Sequence, residues 1–198
     1  MTGEHRHEEL GVERLEAFSD SVLAVVITLT AFELRAPAHP TLAAMGRVAP
    51  TLLVDAANFL FLGIYWNNHH HLLRAASRIS AAIMWSNLSL LFTLSLIPVM
   101  TQWVGAQYGS TAPAVTYGVV ALAAAACYQL LTRAIIRAED HPHVARVVGR
   151  GIKGTLSLVG YAAGIGLALV SPWLGYAAYV GVTVLWLVPD RRFARTAH

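Results

Sequence analysis

The chain has 198 residues, 56% of them hydrophobic and only 13% charged, with a mean hydropathy of +0.54 and a formal net charge of +3. A soluble domain has about 25% charged residues and, at this size, too much surface to hide so much apolar side chain. The composition therefore excludes a soluble enzyme and a disordered chain, and leaves a single polytopic membrane domain over residues 1–198, with room for six helices at roughly 20 residues per span.

The first 16 residues form a polar, partly acidic tail without the basic start of a secretory signal, so the first apolar segment is expected to stay as an anchor. That span covers Ala17 to Leu34 and ends at Arg35, Pro37 and Pro40. The second covers Val48 to Trp66 and carries a polar tail, Asn67-Asn68-His69-His70-His71. The third covers Ala81 to Trp103, with a kink expected from Pro98. The fourth covers Ala114 to Ile136, the fifth Ile152 to Val170 and the sixth Pro172 to Val188, followed by a C-terminal tail, 189–198. Spans five and six join at Ser171-Pro172 and so form a tight hairpin. There is no internal repeat.

Twelve of the fourteen Lys and Arg residues fall in the N-terminal tail, the loops between spans two and three and between four and five, and the C-terminal tail. Arg35 and Arg47 alone fall on the other side. The positive-inside rule then places both termini in the cytoplasm, which six spans permit. This basic excess reads as topology rather than nucleic-acid binding. The single Cys127 excludes an intrachain disulfide and a cysteine-based zinc cage.

Ionisable groups inside a span cost at least ~2.5–3.5 kcal/mol at the bilayer centre and need a partner, water or an interfacial position. Glu33 reads as interfacial, and Asp55, near Asn58, reads as a structural hydrogen bonder rather than an ion site. Asp20 begins span one, Asn67 to His71 end span two, and Trp85 and Asn87 begin span three. All reach one depth, which predicts a buried polar network fastening three helices. Consecutive histidines on a helix point about 100° apart, so His69 to His71 read as structural rather than as a metal site. Leu158-Val159-Gly160-Tyr161-Ala162 shares V-G-Y with a carbonyl-lined potassium filter, yet lies in an apolar helical run and lacks the flanking Thr and Gly.

A helical wheel puts Phe18, Val22, Val25, Leu29 and Phe32 on one face of span one, with Thr28 on its flank and Asp20, Leu23, Ile27 and Leu34 opposite. Ser21, Ala24, Thr28 and Ala31 form a small-residue stripe between them. With Asp20 turned into the bundle, the Val25–Leu29–Phe32 face looks toward lipid or toward copies of itself, and the wheel alone favours lipid.

Arg14-Leu15-Glu16-Ala17-Phe18-Ser19-Asp20 fits R-x-x-x-F-S-D at the start of a first membrane helix. With Tyr65-Trp66-Asn67-Asn68-His69-His70, Trp85-Ser86-Asn87-Leu88 and Ile97-Pro98, it resembles the bacterial, single-repeat form of the transmembrane protein 175 family of endosomal and lysosomal potassium channels. The resemblance covers residues 14–103; the second half matches only in hydropathy. It implies an all-α subunit of six transmembrane helices, a homotetramer, and a central pore lined by helix one. It also implies a constriction of apolar rings in place of a carbonyl filter. By position those rings fall on Val25, Leu29 and Phe32, with Thr28 as a polar layer, which reverses the lipid-facing reading. Val25 is smaller and Phe32 bulkier than the residues the family commonly has there. The resemblance further implies a polar network of Arg14, Phe18, Ser19, Asp20, His70, Trp85 and Asn87.

The function implied is a passive, weakly selective, potassium-preferring cation channel in the cell membrane, with no enzyme activity, no nucleic-acid partner, and no cofactor beyond permeating K+. The alternatives are a proton-conducting channel of the same architecture, a secondary transporter, or a membrane hydrolase using the His run and Asp55. A transporter lacks its expected inverted repeat here.

Overall fold

A computed structural model of the protein describes residues 3–32, 36–37, 39–138 and 152–187, with side chains from Leu10 onward. Helix α1, Gly3–Phe32, begins well before the first apolar run. Residues 3–16, expected as a tail, are rich in Glu, Arg and Leu, which are strong helix formers, and continue the helix without a break. Helix α2, Leu42–Arg74, opens on Thr41, whose extended backbone lets its side-chain oxygen accept from the Ala44 N–H at 3.2 Å. The Asn67–His71 segment is also helical, so α2 is one rod of 33 residues. At 1.5 Å per residue such a rod is about 50 Å long and outruns a hydrocarbon core of about 30 Å by several turns.

Helices α3, Ala81–Ser95, and α4, Ile97–Ala106, replace the single third span. Ser80 caps α3 by accepting from the Ile83 N–H at 3.2 Å. The break at Leu96 has the cause expected: Pro98 has no N–H to bond back one turn, and its ring excludes the carbonyl four residues earlier. Helix α5 is Thr111–Ala138, α6 is Ile152–Val170 and α7 is Pro172–Leu187. Arg78, between α2 and α3, donates through Nε to the Ala138 carbonyl at 2.7 Å, placing a cation on the negative end of α5.

The fold is all-α among the described residues. Among these residues five segments are long and apolar enough to cross a membrane: Leu10–Phe32, Leu42–Arg74, Ala81–Ala106, Thr111–Ala138 and Ile152–Val170. The sixth, Pro172–Leu187, is equally apolar but has 16 residues. Glu33, Arg35, Arg146, Arg150, Arg191, Arg192 and Arg195 lie outside the described residues.

The most extensive contact is the α6–α7 hairpin, which Ser171 alone separates. Next come α5 against α3 and α5 against α6. The core runs along α2, α3 and α5 through Leu62, Leu73, Ile83, Leu90, Leu94, Leu131 and Ile135, all fully buried. Helix α1 packs differently. It meets α2 most, then α3 and α4, from one side, and gives the core Leu23 and Val26, with Leu15, Val22 and Ile27 packed against it.

Candidate functional site

One-sided packing divides α1 into two stripes. Ser19, Leu23, Val26 and Thr30, spaced 4, 3 and 4 apart, are buried against the neighbouring helices. Phe18, Ser21, Val25, Thr28, Leu29 and Phe32 are exposed, and Phe32 is 82% so. Val25, Leu29 and Phe32 therefore do share an uncovered face, with Thr28 beside them. Val22, assigned to that face by the wheel, is half-buried against the core instead, because the observed face is rotated toward Ser21 and Ala24.

The hydroxyls on this stripe are oriented by the helix itself. Thr28 Oγ1 donates back to the carbonyls of Ala24 at 3.0 Å and Val25 at 2.9 Å, and Ser21 Oγ donates to Ala17 at 2.7 Å. A hydroxyl whose hydrogen is engaged by its own helix turns its lone pairs outward as acceptors. The stripe thus reads, from the Arg14 end, aromatic, hydroxyl, apolar, hydroxyl, apolar, apolar. Ser21 was grouped only with small residues in the sequence; its spacing of seven from Thr28 was the available signal.

Behind Phe18 the polar groups divide into two clusters. In the buried one, Ser19 Oγ donates to the Leu15 carbonyl at 2.7 Å and accepts from Asn87 Nδ2 at 2.9 Å. Asn87 Oδ1 faces His69 Nε2 at 2.6 Å. With its nitrogen donating to Ser19, the Asn87 amide has only its oxygen for His69, so His69 carries its proton on Nε2. Ser19, Asn87 and His69 are each fully buried, and together they tie α1 to α3 and α3 to α2.

The second cluster is half-buried. Trp66 Nε1 donates to Asp20 Oδ1 at 3.0 Å. His70 Nδ1 stands 2.8 Å from Glu16 Oε1 and 3.5 Å from Asp20 Oδ2, and Arg74 Nε donates to the same Glu16 oxygen at 3.2 Å. This cluster joins α1 to α2 only.

The expected network of seven residues is therefore rearranged. Ser19 and Asn87 meet, but their histidine is His69, one step round the helix from His70, which turns to α1's carboxylates. Asp20 takes its indole donor from Trp66 rather than Trp85, which is 69% exposed on the outer face of α3. Arg14 and Phe18 are exposed on the uncovered stripe and join neither cluster. A shared depth along the membrane normal had fixed which residues are level with one another, but not which way each points.

At the other end of the bundle, a crevice of about 310 Å³ opens between α1, α2 and α4, lined by Thr30, Arg47, Thr51, Asp55, Thr101 and Gln102. Near it Asn58 is tied off structurally: its Nδ2 donates to the Val54 carbonyl at 3.0 Å and its Oδ1 accepts from Tyr117 at 2.8 Å.

Residues 14–98 match the family described as endosomal/lysosomal potassium channel TMEM175. The chain is similar to a potassium channel of Chryseobacterium sp. (strain P1-3), with 36% identity over 92% of this chain and 96% of the relative. It is also similar to a potassium channel of Streptomyces collinus (strain DSM 40733 / Tue 365), with 30% identity over 84% and 86% of the two chains. Its fold is that of the crystal structure of a lysosomal potassium-selective channel TMEM175 homolog from Chamaesiphon minutus, with a TM-score of 0.78. Identity there is 23%, covering 89% of this chain and 96% of that one.

Proposed function

The chain belongs to the TMEM175 family of endosomal/lysosomal potassium channels, and on that premise we propose that it is a passive, potassium-preferring cation channel of the cell membrane. Four copies would surround a pore lined by the exposed stripe of α1, each chain contributing one membrane domain with both termini in the cytoplasm. One observation carries this reading: the long helix that bears the family motif has a continuous uncovered stripe in which hydroxyl and apolar side chains alternate. A hydroxyl bonded to its own helix is tolerated in lipid, but an ion path makes use of its outward lone pairs as well as of the apolar side chains.

In this arrangement Val25, Leu29 and Phe32 form apolar rings. An ion stripped of water in such a ring is strongly disfavoured, so a narrow ring shuts the pore by excluding water and a modest widening opens it. The Thr28 oxygens, with lone pairs turned outward, replace part of the hydration shell between the Val25 and Leu29 rings. A larger ion, holding its water less tightly, loses less on that exchange, and this favours K+ over Na+. Leu29 is the closed gate. The polar clusters around Ser19 and Asp20 hold the helix and do not touch the ion.

The test is a reversal potential recorded from the purified protein in liposomes under opposed K+ and Na+ gradients. A conductance reversing toward the K+ potential is expected, with Leu29→Ala raising it and lowering the discrimination. An unchanged Leu29→Ala current would remove Leu29 as the gate. Current carried by H+ alone in the absence of K+ would replace the potassium reading with a proton channel.

A further inference from the structure

Glu16 and Asp20 lie one turn apart on α1 and His70 faces them from α2. One ligand atom from each of the three lies within 4.8 Å of the other two. His70 Nδ1 is 2.8 Å from Glu16 Oε1, a hydrogen-bond distance, yet this buried nitrogen has no hydrogen-bond partner of acceptable geometry. Nitrogen and carboxylate thus stand close together without an aligned hydrogen bond between them. That is how ligands sit around a cation, and it differs from the His69–Asn87 contact one residue earlier, where donor and acceptor are aligned.

From this we propose a divalent transition-metal site, Zn2+ in kind, formed by His70 Nδ1, Glu16 and Asp20 and clamping α1 to α2. One imidazole nitrogen and two carboxylate oxygens make a ligand set suited to Zn2+ and its neighbours, with the fourth position left to water. Zn–N and Zn–O bonds of about 2.0–2.2 Å put tetrahedral ligands about 3.4 Å apart. The observed 2.8 and 3.5 Å bracket that spacing and the two carboxylate oxygens lie within 4.8 Å of each other, so closure around an ion needs side-chain adjustments at both carboxylates. The outer shell is also present. Trp66 Nε1 holds Asp20 by Oδ1 and leaves Oδ2, the oxygen nearer His70, for the ion. Arg74 competes for Glu16, but its side chain is 65% exposed and free to swing into water. The site is partly exposed, so an ion can enter without unfolding the bundle.

The experiment is a calorimetric Zn2+ titration of the full chain, free of any histidine tag, in detergent, with melting temperature read in parallel. One saturable Zn2+ per chain is expected, together with a higher melting temperature at saturating Zn2+. His70→Gln should weaken binding at least tenfold and abolish the thermal shift. Arg74→Gln should tighten binding. His39→Gln and His71→Gln should change neither readout. If His70→Gln does not fold, Glu16→Gln, which keeps the Trp66–Asp20 bond, is read in its place. No saturable binding by the unaltered chain, or binding that survives Glu16→Gln and His70→Gln combined, overturns the proposal. Binding is read without any current, so this outcome is separate from that of the channel reading.

Discussion

Asn87 is fully buried and bonded on both sides. Its amide bridges a hydroxyl from α1 and an imidazole from α2 with no solvent access at either contact. Asn87→Ala leaves His69 Nε2 buried without a bond and takes from Ser19 its donor, while Ser19 keeps its bond to the Leu15 carbonyl; an unsatisfied buried polar group costs about 1–3 kcal/mol. The melting temperature in detergent should fall clearly, and an unchanged value would mean that water replaces the amide. The two tryptophans give a sharper comparison. Trp66→Phe removes the donor to Asp20 at a half-exposed site and should cost about 1 kcal/mol. Trp85→Phe removes an N–H on the outer face of α3 and should change stability by less than about 0.5 kcal/mol. A larger loss at Trp85 than at Trp66 would restore the network as first read from the sequence. All these residue types were legible at one depth; the pairing was not, because a single 100° step separates His69 from His70 and only packing decides which one faces inward.

Among the elements, α1 and the α6–α7 hairpin are opposites. The hairpin is held by close approach. A Cβ on Gly175 would stand 2.6 Å from the Ala168 Cβ and 3.1 Å from its Cα, and backbone cannot yield as a side-chain tip can. Gly175→Ala should therefore destabilise by about 1–3 kcal/mol. Gly181, on the same helix, has nothing within 4 Å of the added atom. Gly181→Ala should stabilise by up to about 1 kcal/mol through helix propensity alone. Equal effects at both sites, measured by thermal melting, would mean that the two helices do not pack this closely. Helix α1 instead puts its small side chains, Ser21 and Ala24, on the uncovered stripe. There they are free to admit another helix.

Across the whole molecule, α1 meets α2, α3 and α4 on one side and leaves a stripe bare on the other. Pores built by repetition of one helix require that layout. In a Cys127→Ser background, Leu29→Cys should form oxidised dimers in the membrane, since neighbouring copies bring that position together near an axis. Val159→Cys, on the exposed face of α6, should not. Monomers only from both variants would argue against the assembly.

Composition and spacing alone determined an all-α membrane protein of six apolar segments, a break near Pro98, a tight hairpin at Ser171, and Phe18, Val25, Leu29 and Phe32 on one face, with Val22 wrongly among them. These follow from hydropathy, from proline chemistry and from the 3.6-residue period, all of which are local. Only the tertiary structure decided that His69 rather than His70 meets Asn87, that Trp66 rather than Trp85 meets Asp20, and that His70 faces two carboxylates. It also brought Ser21 onto the stripe with Thr28. Those outcomes depend on the rotation of each helix about its own axis. That rotation is set by the neighbours it packs against, and no single segment encodes them.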